Sequence, residues 1–404
     1  MNEVKGRNKI LMLTTLYPVG NQMILHNTNV CHYFAREWVK MGYEVRVVFN
    51  YNVYPWFYYF FYRLFGALIS KRTGKAIFAE RLKQKHDYEM EGVRISQIPI
   101  FKNKPGGLFK KKVLIRQASL IHEVLIQEGF EPAYMVGHVV HPNIELLTLM
   151  KQWYDVPTSI TLHGVPDKSI NLDCLKQMDL IGFRSKAIKV GFETVYGKSY
   201  HGFLCYSGIP EYYIREEERK WTHGACHFLY VGSLIIRKHP SALIPAIKKA
   251  YGEECFTIGY IGAGGEDKTI TSLVKEHSME NLVALKGQLN RSDIIREYDK
   301  ADVFIMVSEN EAFGLVYLEA MARGCIVVAS WNEGIDGIIK DGVNGFLCKA
   351  GDIDELAEVV MRIKSLSNEQ LTMISNAAIN TARQMTDKIA AERYINELKN
   401  GNAN

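Results

Sequence analysis

Two glutamates, Glu311 and Glu319, stand eight positions apart in the part of this 404-residue chain that is best equipped for chemistry. The segment at 308–324 reads S-E-N-E-A-F-G-L-V-Y-L-E-A-M-A-R-G. Apolar runs lead into it at 301–307 and out of it at 325–329, and such runs predict buried strands. Its final glycine is typical of a helix end. The pattern predicts strand, loop, helix and strand, with Glu311 in the loop and Glu319 in the helix.

The junction between that loop and that helix is suited to a phosphate. The first turn of a helix presents backbone N–H groups without partners and the positive end of the helix dipole. Glu319 falls on an apolar stripe with Leu315, Leu318 and Ala322, because residues three and four apart share a helix face. A carboxylate on such a stripe needs partners, since burying an unpaired charge is costly. Sugar hydroxyl groups would be suitable partners.

The segment resembles the signature of the retaining glycosyltransferases of the GT-B fold, in particular their large group 4 family. That signature is a pair of glutamates with seven residues between them around F-G-L, followed by E-A-M-A-x-G. Four other stretches are similar to the family in the same order: T-L-H-G at 161–164, V-G-S-L-I-I-R-K at 231–238, I-G-A-G-G at 261–265 and D-G-V-N-G-F-L at 341–347. Each stretch is weak alone, and their order and spacing together make the resemblance specific.

The resemblance implies a nucleotide-sugar donor, with a UDP-sugar preferred over a GDP-sugar, and it assigns three residues to catalysis. Glu311 would lie near the transferred sugar and stabilise its cationic transition state. Lys238 would neutralise the departing diphosphate, and His163 would approach the donor sugar or its diphosphate. The acceptor hydroxyl would attack from the face that the diphosphate leaves, so the anomeric configuration would be retained. A double displacement through Glu311 stays open.

The remaining contacts follow from the same resemblance. Glu319 would accept hydrogen bonds from the ribose hydroxyls, and the stretch from Gly287 to Leu289 would place backbone groups at the nucleobase. Gly232 and Ser233 would also be donor-binding positions. The backbone N–H groups of four residues would line the sugar and phosphate region: Phe313, Gly314, Leu315 and Val316. Gly20 would stand for the family's N-terminal glycine loop near the acceptor, where the family usually has two adjacent glycines.

One donor position departs from the family. The family usually has V-G-R-L where this chain has V-G-S-L, so Ser233 replaces an arginine. A hydroxyl group cannot make the bidentate contact that a guanidinium makes to phosphate. Arg237, next to Lys238, is the other source of a guanidinium. The departure bears on donor affinity more than on fold.

Neither a cofactor nor a metal is expected. The nucleotide sugar is a substrate, and the ammonium of Lys238 would supply the positive charge that a metal gives elsewhere. His138 and His141 have a spacing that suits a helix face, but the sequence shows no cysteine or carboxylate cluster beside them. A metal site is therefore not predicted at these histidines.

The predicted fold class is α/β: a GT-B fold of two Rossmann-like domains facing across a cleft, with a C-terminal helix crossing back to the N-terminal domain. The expected ranges are 1–207 for an acceptor domain, 208–385 for a donor domain and 386–404 for the crossover helix. Ile209-Pro210 and the charged run 215–220 predict the hinge between the domains.

The element pattern agrees with that class. A strand at 9–14, a helix at 29–41 and a strand at 44–49 predict a right-handed parallel unit. A helix is predicted at 143–153. Further strands are predicted at 133–136, 159–162, 227–231, 257–261, 303–307 and 326–329.

Charge and aromatic residues are distributed unevenly. The chain has a net charge of +5, yet Lys and Arg number 14 against 4 acidic residues between Arg63 and Arg116. Ten aromatic residues lie just upstream, between Tyr51 and Phe65. Aromatic rings beside basic residues are typical of a peripheral contact with anionic membrane, so the stretch 51–116 predicts such a contact. A core segment followed by a solvated basic loop is the alternative. Nucleic acid is not an expected partner, because the aromatic and basic residues are not interleaved.

Composition indicates a cytoplasmic enzyme, membrane-associated through that stretch at the cytoplasmic face. The 7 cysteines form no C-x-x-C pair, which indicates a reducing compartment. No signal peptide is visible in the N-terminal segment, and no apolar run is long enough to span a bilayer.

The predicted activity is transfer of a sugar to a hydroxyl acceptor, with a lipid-linked or surface-polysaccharide intermediate as the preferred acceptor. Three alternatives stay open. They are a soluble small-molecule glycosyltransferase, a catalytically inactive GT-B partner subunit and a nucleotide-sugar epimerase. The sugar, the linkage and the oligomeric state are not predicted.

Overall fold

The computed structural model describes residues 8–19, 29–73, 81–165 and 170–400, and only the backbone is described at 66–73. Gly20 lies outside the described residues. The chain divides into two compact units. Unit 1 comprises residues 1–184, 188–205 and 390–404, and unit 2 comprises residues 185–187 and 206–389.

Unit 1 contains an eight-stranded sheet in the described part of the chain. The strand order is β3-β4-β2-β1-β5-β6-β7-β8; β3 is antiparallel to β4, and the other neighbours are parallel. The strands, numbered in chain order, are β1 (Lys9–Thr14), β2 (Glu44–Val53), β3 (His86–Met90), β4 (Val93–Phe101), β5 (Tyr134–His138), β6 (Thr158–Leu162), β7 (Leu180–Phe183) and β8 (Gly202–Leu204).

Seven helices of the described residues lie wholly or mostly in unit 1. They are α1 (Val30–Lys40), α2 (Trp56–Thr73), α3 (Lys111–Gln127), α4 (Val140–Met150), α5 (Leu172–Leu175), α6 (Lys186–Tyr196) and the last helix, α13 (Asp387–Asn400). Helix α13 is part of the core: Tyr394 is buried and its hydroxyl bonds to Ser159 and Thr161 of β6. Trp38 of α1 donates its indole N–H to the carbonyl of Ala391 at 3.1 Å.

Unit 2 contains a fully parallel sheet in the order β11-β10-β9-β12-β13-β14. Both faces of such a sheet are covered, which explains why its strands are apolar almost without interruption. The strands are β9 (His227–Val231), β10 (Thr257–Ile261), β11 (Val283–Leu285), β12 (Val303–Ile305), β13 (Ile326–Ser330) and β14 (Phe346–Cys348).

The helices of unit 2 alternate with these strands. They are α7 (Leu243–Tyr251), α8 (Asp267–Glu276), α9 (Arg291–Lys300), α10 (Leu315–Ala322), α11 (Ile353–Lys364) and α12 (Asn368–Arg383). Short 3₁₀ turns lie at Glu211–Tyr213, Ile236–Lys238 and Pro240–Ala242. The alternation of strands and helices in both units confirms the α/β class.

Several predicted elements differ from those observed. β12 ends at Ile305 although Met306 and Val307 remain fully buried, because the apolar run continues into the core after the strand pairing stops. Helix α4 spans 140–150 rather than 143–153. The predicted hinge run 215–220 lies in unit 2, where Arg219 forms a 3.0 Å ion pair with the buried Asp302. In the described ranges, no helix combines the length and the apolar character that crossing a membrane requires.

Candidate active site

The loops at the carboxyl edge of the unit 2 sheet bring together most of the predicted donor-site residues. In a parallel sheet the carboxyl ends of all strands meet at one edge, which is where open α/β sheets bind ligands. Gly232 follows β9, Gly287 follows β11 and Glu311 lies in the loop after β12. β9 and β12 are neighbours, so the loops after them lie side by side.

Glu311 faces two cations in this edge. Lys238 Nζ lies 3.4 Å from Glu311 Oε2, and Arg237 Nη1 lies 3.6 Å from the same oxygen. The Glu311 oxygen is buried and makes no hydrogen bond in the described structure. Lys238 Nζ also lies 3.7 Å from the sulfur of Met306. Two cations therefore lie at ion-pair distance from one carboxylate oxygen, and neither forms a hydrogen bond with it.

The turn that holds these cations is closely packed. The loop after β9 lies against the loop after β10, where the Gly232 carbonyl occupies the space that a Cβ on Gly262 would need. The Arg237 carbonyl accepts a 2.7 Å hydrogen bond from the Glu309 N–H, which joins the turn to the β12 loop. Ser233 is held through its carbonyl by the Tyr230 hydroxyl at 2.9 Å. These main-chain contacts thus fix the backbone positions of Lys238 and Arg237.

Helix α10 starts at Gly314, which adopts the left-handed conformation with φ of +81°. A Cβ at this position would lie less than 3.0 Å from the Tyr317 ring, so only glycine fits without displacement. No side chain caps the helix and no acidic residue lies in its first turn. The N–H groups of Leu315 and Val316 therefore lie at the positive end of the helix dipole without a side-chain cap.

The loop that contains Glu311 and Phe313 is supported by the loop after β13. Glu333 accepts a 2.8 Å hydrogen bond from the Glu311 N–H. Gly334 packs so closely that a Cβ there would lie 2.5 Å from the Phe313 backbone. Phe313 itself is buried beside Tyr206, with ring centroids 5.6 Å apart.

Glu319 lies in α10, five residues after Gly314, and is largely enclosed. The Tyr298 hydroxyl donates to Glu319 Oε2 at 3.4 Å and to the Val316 carbonyl at 3.3 Å. Burial raises the pKa of Glu319 from its ordinary 4.5 to about 7, against the opposing effects of Arg291 and of the Tyr298 hydrogen bond. The carboxylate predicted to need partners has one weak donor and one nearby cation.

Gly287 and Leu289 lie at the same edge, beyond β10. The Gly287 carbonyl accepts a 2.8 Å hydrogen bond from the Gly262 N–H. Leu289 is half-buried and packs on the unit 2 core, which leaves its backbone at the edge of the sheet. Gly232, Gly262 and Gly287 therefore line three successive strand ends.

His163 belongs to unit 1, at the carboxyl end of β6. Its Nε2 lies 3.2 Å from Nδ1 of the buried His138 at the end of β5. Cys31 completes a group whose sulfur and ring nitrogens lie within 4.8 Å of one another. Burial and then the charge of Arg184 lower the pKa of His138 to about 3, and they also lower the pKa of His163. Both rings are neutral, and the nearby guanidinium opposes a metal cation.

The expectation about the two histidines is corrected in two respects. His138 ends β5, and His141 has non-helical backbone angles at a kink near the start of α4, so they do not share a helix face. A cysteine does lie beside His138, and a carboxylate lies beside His141 at 2.6 Å, that of Glu145. Sequence spacing could not reveal Cys31 beside His138, because the two residues meet only through the sheet, whereas His141 and Glu145 have the i,i+4 spacing of a local pair.

Residues 215–380 match the family described as Glycosyl transferases group 1. This match covers the loops after β9, β11 and β12 that hold the cations and the two glutamates. The chain therefore contains a Glycosyl transferases group 1 domain.

Curated proteins that are similar to this chain agree with that match. An uncharacterized glycosyltransferase of Methanocaldococcus jannaschii is 25% identical over 294 residues, which is 70% of this chain and 78% of the relative. The N-acetyl-alpha-D-glucosaminyl L-malate synthase of Bacillus anthracis is 30% identical over 189 residues, 47% of this chain. In that second case the match spans about half of the relative's length, 46%.

Solved structures confirm the predicted GT-B fold class for this glycosyltransferase. A glycosyltransferase from Rickettsia africae aligns with a TM-score of 0.70 at 17% identity, covering 98% of this chain and 99% of the other. The Anabaena protein HepE, solved with UDP and glucose, aligns with a TM-score of 0.64 at 17% identity over 97% of this chain and 99% of the other. At such identities the likeness concerns the fold.

Sequence analysis of this glycosyltransferase missed Glu333 and the orientation of Arg237. Glu333 stands in W-N-E-G after β13, and only the neighbouring position of the β12 and β13 loops brings it to Glu311. A polar residue directly after a buried parallel strand is the signal that could have indicated it. Arg237 was one of two neighbouring basic residues, and its contact with Glu311 makes it part of the cluster.

The raised pKa of Glu319 predicts a specific dependence of stability on pH. Between its ordinary pKa of 4.5 and its folded pKa of about 7, the folded state holds a proton that the unfolded state releases, so stability falls as pH rises through this window. Glu319→Gln is expected to be more stable than wild type at pH 8, by up to about 3 kcal/mol, and to show little difference at pH 4.5. Urea denaturation at both pH values measures this.

The exposed Glu358 of α11 provides the control for that measurement. Glu358→Gln is expected to leave stability unchanged within about 0.5 kcal/mol at both pH values. A Glu319→Gln protein that is less stable than wild type at pH 8 would contradict the argument.

Proposed function

We propose that this chain is a retaining glycosyltransferase of the group 4 type. It transfers a sugar from a nucleotide sugar, preferably a UDP-sugar, to a hydroxyl group of a lipid-linked or surface-polysaccharide intermediate. The observation that supports this most directly is the shared contact of Lys238 and Arg237 with Glu311 at the carboxyl edge of the unit 2 sheet. The carboxylate would stabilise the positive charge that develops on the sugar. The two cations would stabilise the negative charge that develops on the departing diphosphate.

The donor diphosphate binds at the cations and the helix terminus. Lys238 and Arg237 supply two positive charges, and the uncapped first turn of α10 supplies N–H donors at Leu315 and Val316. Arg237 stands in for the guanidinium that Ser233 lacks, since it already reaches the same carboxylate as Lys238. Because these groups neutralise the leaving diphosphate, the proposed reaction needs no metal. The UDP bound to the Anabaena HepE structure supports a nucleotide donor.

The sugar and the nucleoside occupy the flanking positions. Glu311 lies at the transferred sugar and stabilises its positive charge. Glu319 accepts hydrogen bonds from the ribose hydroxyls, which replace the water that its buried position excludes. Backbone groups at Gly287 and Leu289 contact the base. His163 of unit 1 is assigned to the donor sugar or diphosphate, and its neutral ring suits a hydrogen bond rather than a charge contact.

The proposed reaction exchanges one bond at the anomeric carbon. The bond from that carbon to the diphosphate oxygen breaks, and a bond to the acceptor oxygen forms on the same face. The proton of the acceptor hydroxyl passes to the departing phosphate oxygen. The products are the glycoside, with its configuration retained, and the nucleoside diphosphate.

A donor panel tests this function. The purified chain would be incubated with UDP- and GDP-sugars, with and without a membrane lipid extract, and the released nucleotide and the products would be measured. We expect release of UDP from one donor, increased by lipid. A changed sugar nucleotide without released UDP would instead identify an epimerase. No release and no thermal stabilisation by any donor would identify an inactive partner subunit.

The proposed acceptor class rests on helix α2. Its side chains from Trp56 to Phe65 form an exposed apolar surface that includes Phe57, and its most exposed members range from 50% to 67%: Trp56, Phe60, Phe61, Leu64 and Phe65. Tyr51, by contrast, is buried in β2. Only the start of the aromatic stretch is therefore core, and the helix does not bury its rings within the described part of the chain.

An anionic bilayer surface is the partner that this helix fits. Aromatic rings insert at the level of lipid headgroups, and nearby basic residues attract anionic lipid at about 1 kcal/mol each. The stretch from Arg63 to Arg116 provides 14 basic residues against 4 acidic ones. We therefore place the enzyme at the cytoplasmic face of a membrane, where a lipid-linked acceptor would be available.

Substitutions in α2 test the membrane contact. The double variant Trp56→Glu/Phe60→Glu is expected to lose at least tenfold in binding to vesicles of phosphatidylcholine with 30% phosphatidylglycerol, because two carboxylates oppose both insertion and the anionic surface. Co-sedimentation measures the bound fraction. Ile126→Glu alters an exposed apolar residue of α3 and should bind like wild type. Equal binding by all three proteins would remove the membrane proposal and favour a soluble small-molecule acceptor.

A further inference from the structure

A second polar cluster lies in unit 1, where α4 begins after β5. His141 Nδ1 lies 2.6 Å from Glu145 Oε1, one helical turn away. Both side chains are mostly buried, with 22% and 18% of their surface exposed. Val139, just before them, has φ of +70°, which is costly for a β-branched residue. Such conformations are concentrated at functional sites.

The neighbouring amide side chains have their hydrogen-bond partners within the protein. Asn143 accepts a 3.1 Å hydrogen bond from Asn50 of β2 and donates to the carbonyls of His138 and Val139, each at 2.8 Å. Gln117 of α3 donates to the Asn50 side chain at 2.9 Å. This amide chain joins α3, β2 and α4, and the side-chain oxygens of both asparagines accept hydrogen bonds within it.

The cluster beside that chain is different. His141 Nε2 and Glu145 Oε2 are buried and have no hydrogen-bond partner in the described structure. The same is true of Asn52 Oδ1, two residues beyond Asn50 and on the same face of β2. Buried polar atoms are almost always paired, and an unpaired one costs about 1–3 kcal/mol. The Asn50–Asn143 hydrogen bond joins β2, which contains Asn52, to α4, which contains His141 and Glu145. Three unpaired atoms on these two joined elements indicate that a ligand completes them.

The proton positions define the chemistry of that ligand. The ionised carboxylate of Glu145 accepts the Nδ1–H of His141, and in the neutral imidazole this leaves a lone pair on Nε2. The cluster therefore offers an imidazole nitrogen, a carboxylate oxygen and an amide oxygen, all of them acceptors. Lys102, after β4, is the nearby basic residue: burial lowers its pKa, and the charge of Glu145 partly opposes that effect. Several O–H donors fit such a set, whereas a phosphate would be repelled by Glu145.

We propose that His141, Glu145 and Asn52 form a subsite that binds the hydroxyl groups of a sugar. The imidazole Nε2 accepts a hydrogen bond from one hydroxyl, and Glu145 Oε2 and Asn52 Oδ1 accept from others. Given the proposed function, this sugar is the acceptor, and the subsite determines which acceptor the enzyme takes.

Binding of simple glycosides tests the subsite without any need for activity. Methyl α- and β-glycosides of glucose, galactose and N-acetylglucosamine would be added to the full chain, and binding would be measured by saturation-transfer NMR. At least one glycoside is expected to bind wild type at millimolar concentration and to bind His141→Ala and Glu145→Gln at least tenfold more weakly. Absence of binding to wild type, or equal binding by the variants, would overturn the proposal.

His122→Ala is the matched control, because His122 is a unit 1 histidine with both an aromatic and a hydrogen-bond contact, stacked on Trp153 and bonded to Tyr154. It should bind glycosides like wild type. Thermal melting identifies a variant that has failed to fold, and Glu145→Gln keeps the shape of the side chain in case His141→Ala is unstable.

Kinetics separate this proposal from the proposed function. Nucleotide release in the absence of acceptor depends on the donor site alone and is expected to be unchanged in both subsite variants. The KM for acceptor is expected to rise at least tenfold in them. Equal losses of nucleotide release and of acceptor use would show that His141 and Glu145 do not act through the acceptor. Glycoside binding without any nucleotide release would support the subsite and contradict the proposed transferase activity.

Discussion

Lys238→Ala is expected to lower kcat/KM for nucleotide release by about 10²–10³, the usual effect of removing one preorganised group that stabilises developing charge. The ammonium lies 3.4 Å from Glu311, at the point where the diphosphate is proposed to leave. Its loss removes a charge that water cannot replace in a largely buried position. Release of nucleotide from the preferred donor, measured under initial-rate conditions, quantifies the effect.

Glu311→Gln is expected to cause a loss of similar size, because a neutral amide cannot stabilise the positive sugar. Arg237→Ala should weaken donor use by about tenfold, the effect of about 1.4 kcal/mol, because a charge-assisted hydrogen bond to phosphate is removed. Adding Ser233→Arg to that variant should restore most of the loss if the two guanidinium positions are equivalent.

Lys249→Ala is the control for these variants. Lys249 belongs to α7 in the same unit and pairs with Asp354 at the surface, at 2.7 Å. Its replacement should leave nucleotide release unchanged. Full activity in Lys238→Ala or in Glu311→Gln would contradict the proposed donor site.

Gly314→Ala is expected to abolish most donor-dependent activity and to lower the melting temperature by several degrees. The left-handed conformation costs a residue with a Cβ about 1–2 kcal/mol, and forcing a methyl group into packed surroundings costs about 1–3 kcal/mol more. The methyl group would meet the ring of Tyr317, whose hydroxyl is bonded to the Met306 carbonyl at 2.7 Å. The start of α10 would have to move, and its N–H groups would move with it.

Gly265→Ala distinguishes this effect from a general cost of replacing glycine. Gly265 lies in the loop after β10, and no atom lies within 4 Å of the Cβ that alanine would add. This variant should keep its activity and its melting temperature. Thermal melting and nucleotide release on both variants provide the comparison, and a fully active Gly314→Ala would show that the α10 terminus is not part of the donor site.

The sequence was sufficient for the elements that depend on local pattern. β1, β9 and β10 have the predicted ends, because each is a short apolar run bounded by polar residues or by glycine. The placement of Glu311 in a loop and of Glu319 in a helix follows from periodicity and from the glycine between them. These features depend on neighbours a few positions away in the chain.

The contacts that complete the site could not be predicted in the same way. Glu333 reaches the Glu311 backbone, and Cys31 reaches His138, across distances of 22 and 107 residues in the chain. Their proximity depends on the order of strands in each sheet, in which β12 lies between β9 and β13 and β1 lies between β2 and β5. Periodicity contains no information about that order.

The exposure of α2 was likewise ambiguous from sequence. The ten aromatic residues between Tyr51 and Phe65 are compatible with a core and with a surface, because apolar content alone does not say whether other elements cover the segment. The fold resolves the ambiguity residue by residue: Tyr51 is paired in β2 and buried, whereas Trp56 begins a helix and is exposed.

Helix α13 has a consequence for the order in which the molecule forms on the ribosome. Trp38 and the β6 side chains Ser159 and Thr161 have partners that are translated more than two hundred residues later, in Ala391 and Tyr394. Domains generally fold as units during synthesis, the N-terminal one first. Here the first core stays open until unit 2 has been translated, so the nascent chain exposes an apolar surface over most of its elongation, the interval in which chaperones act.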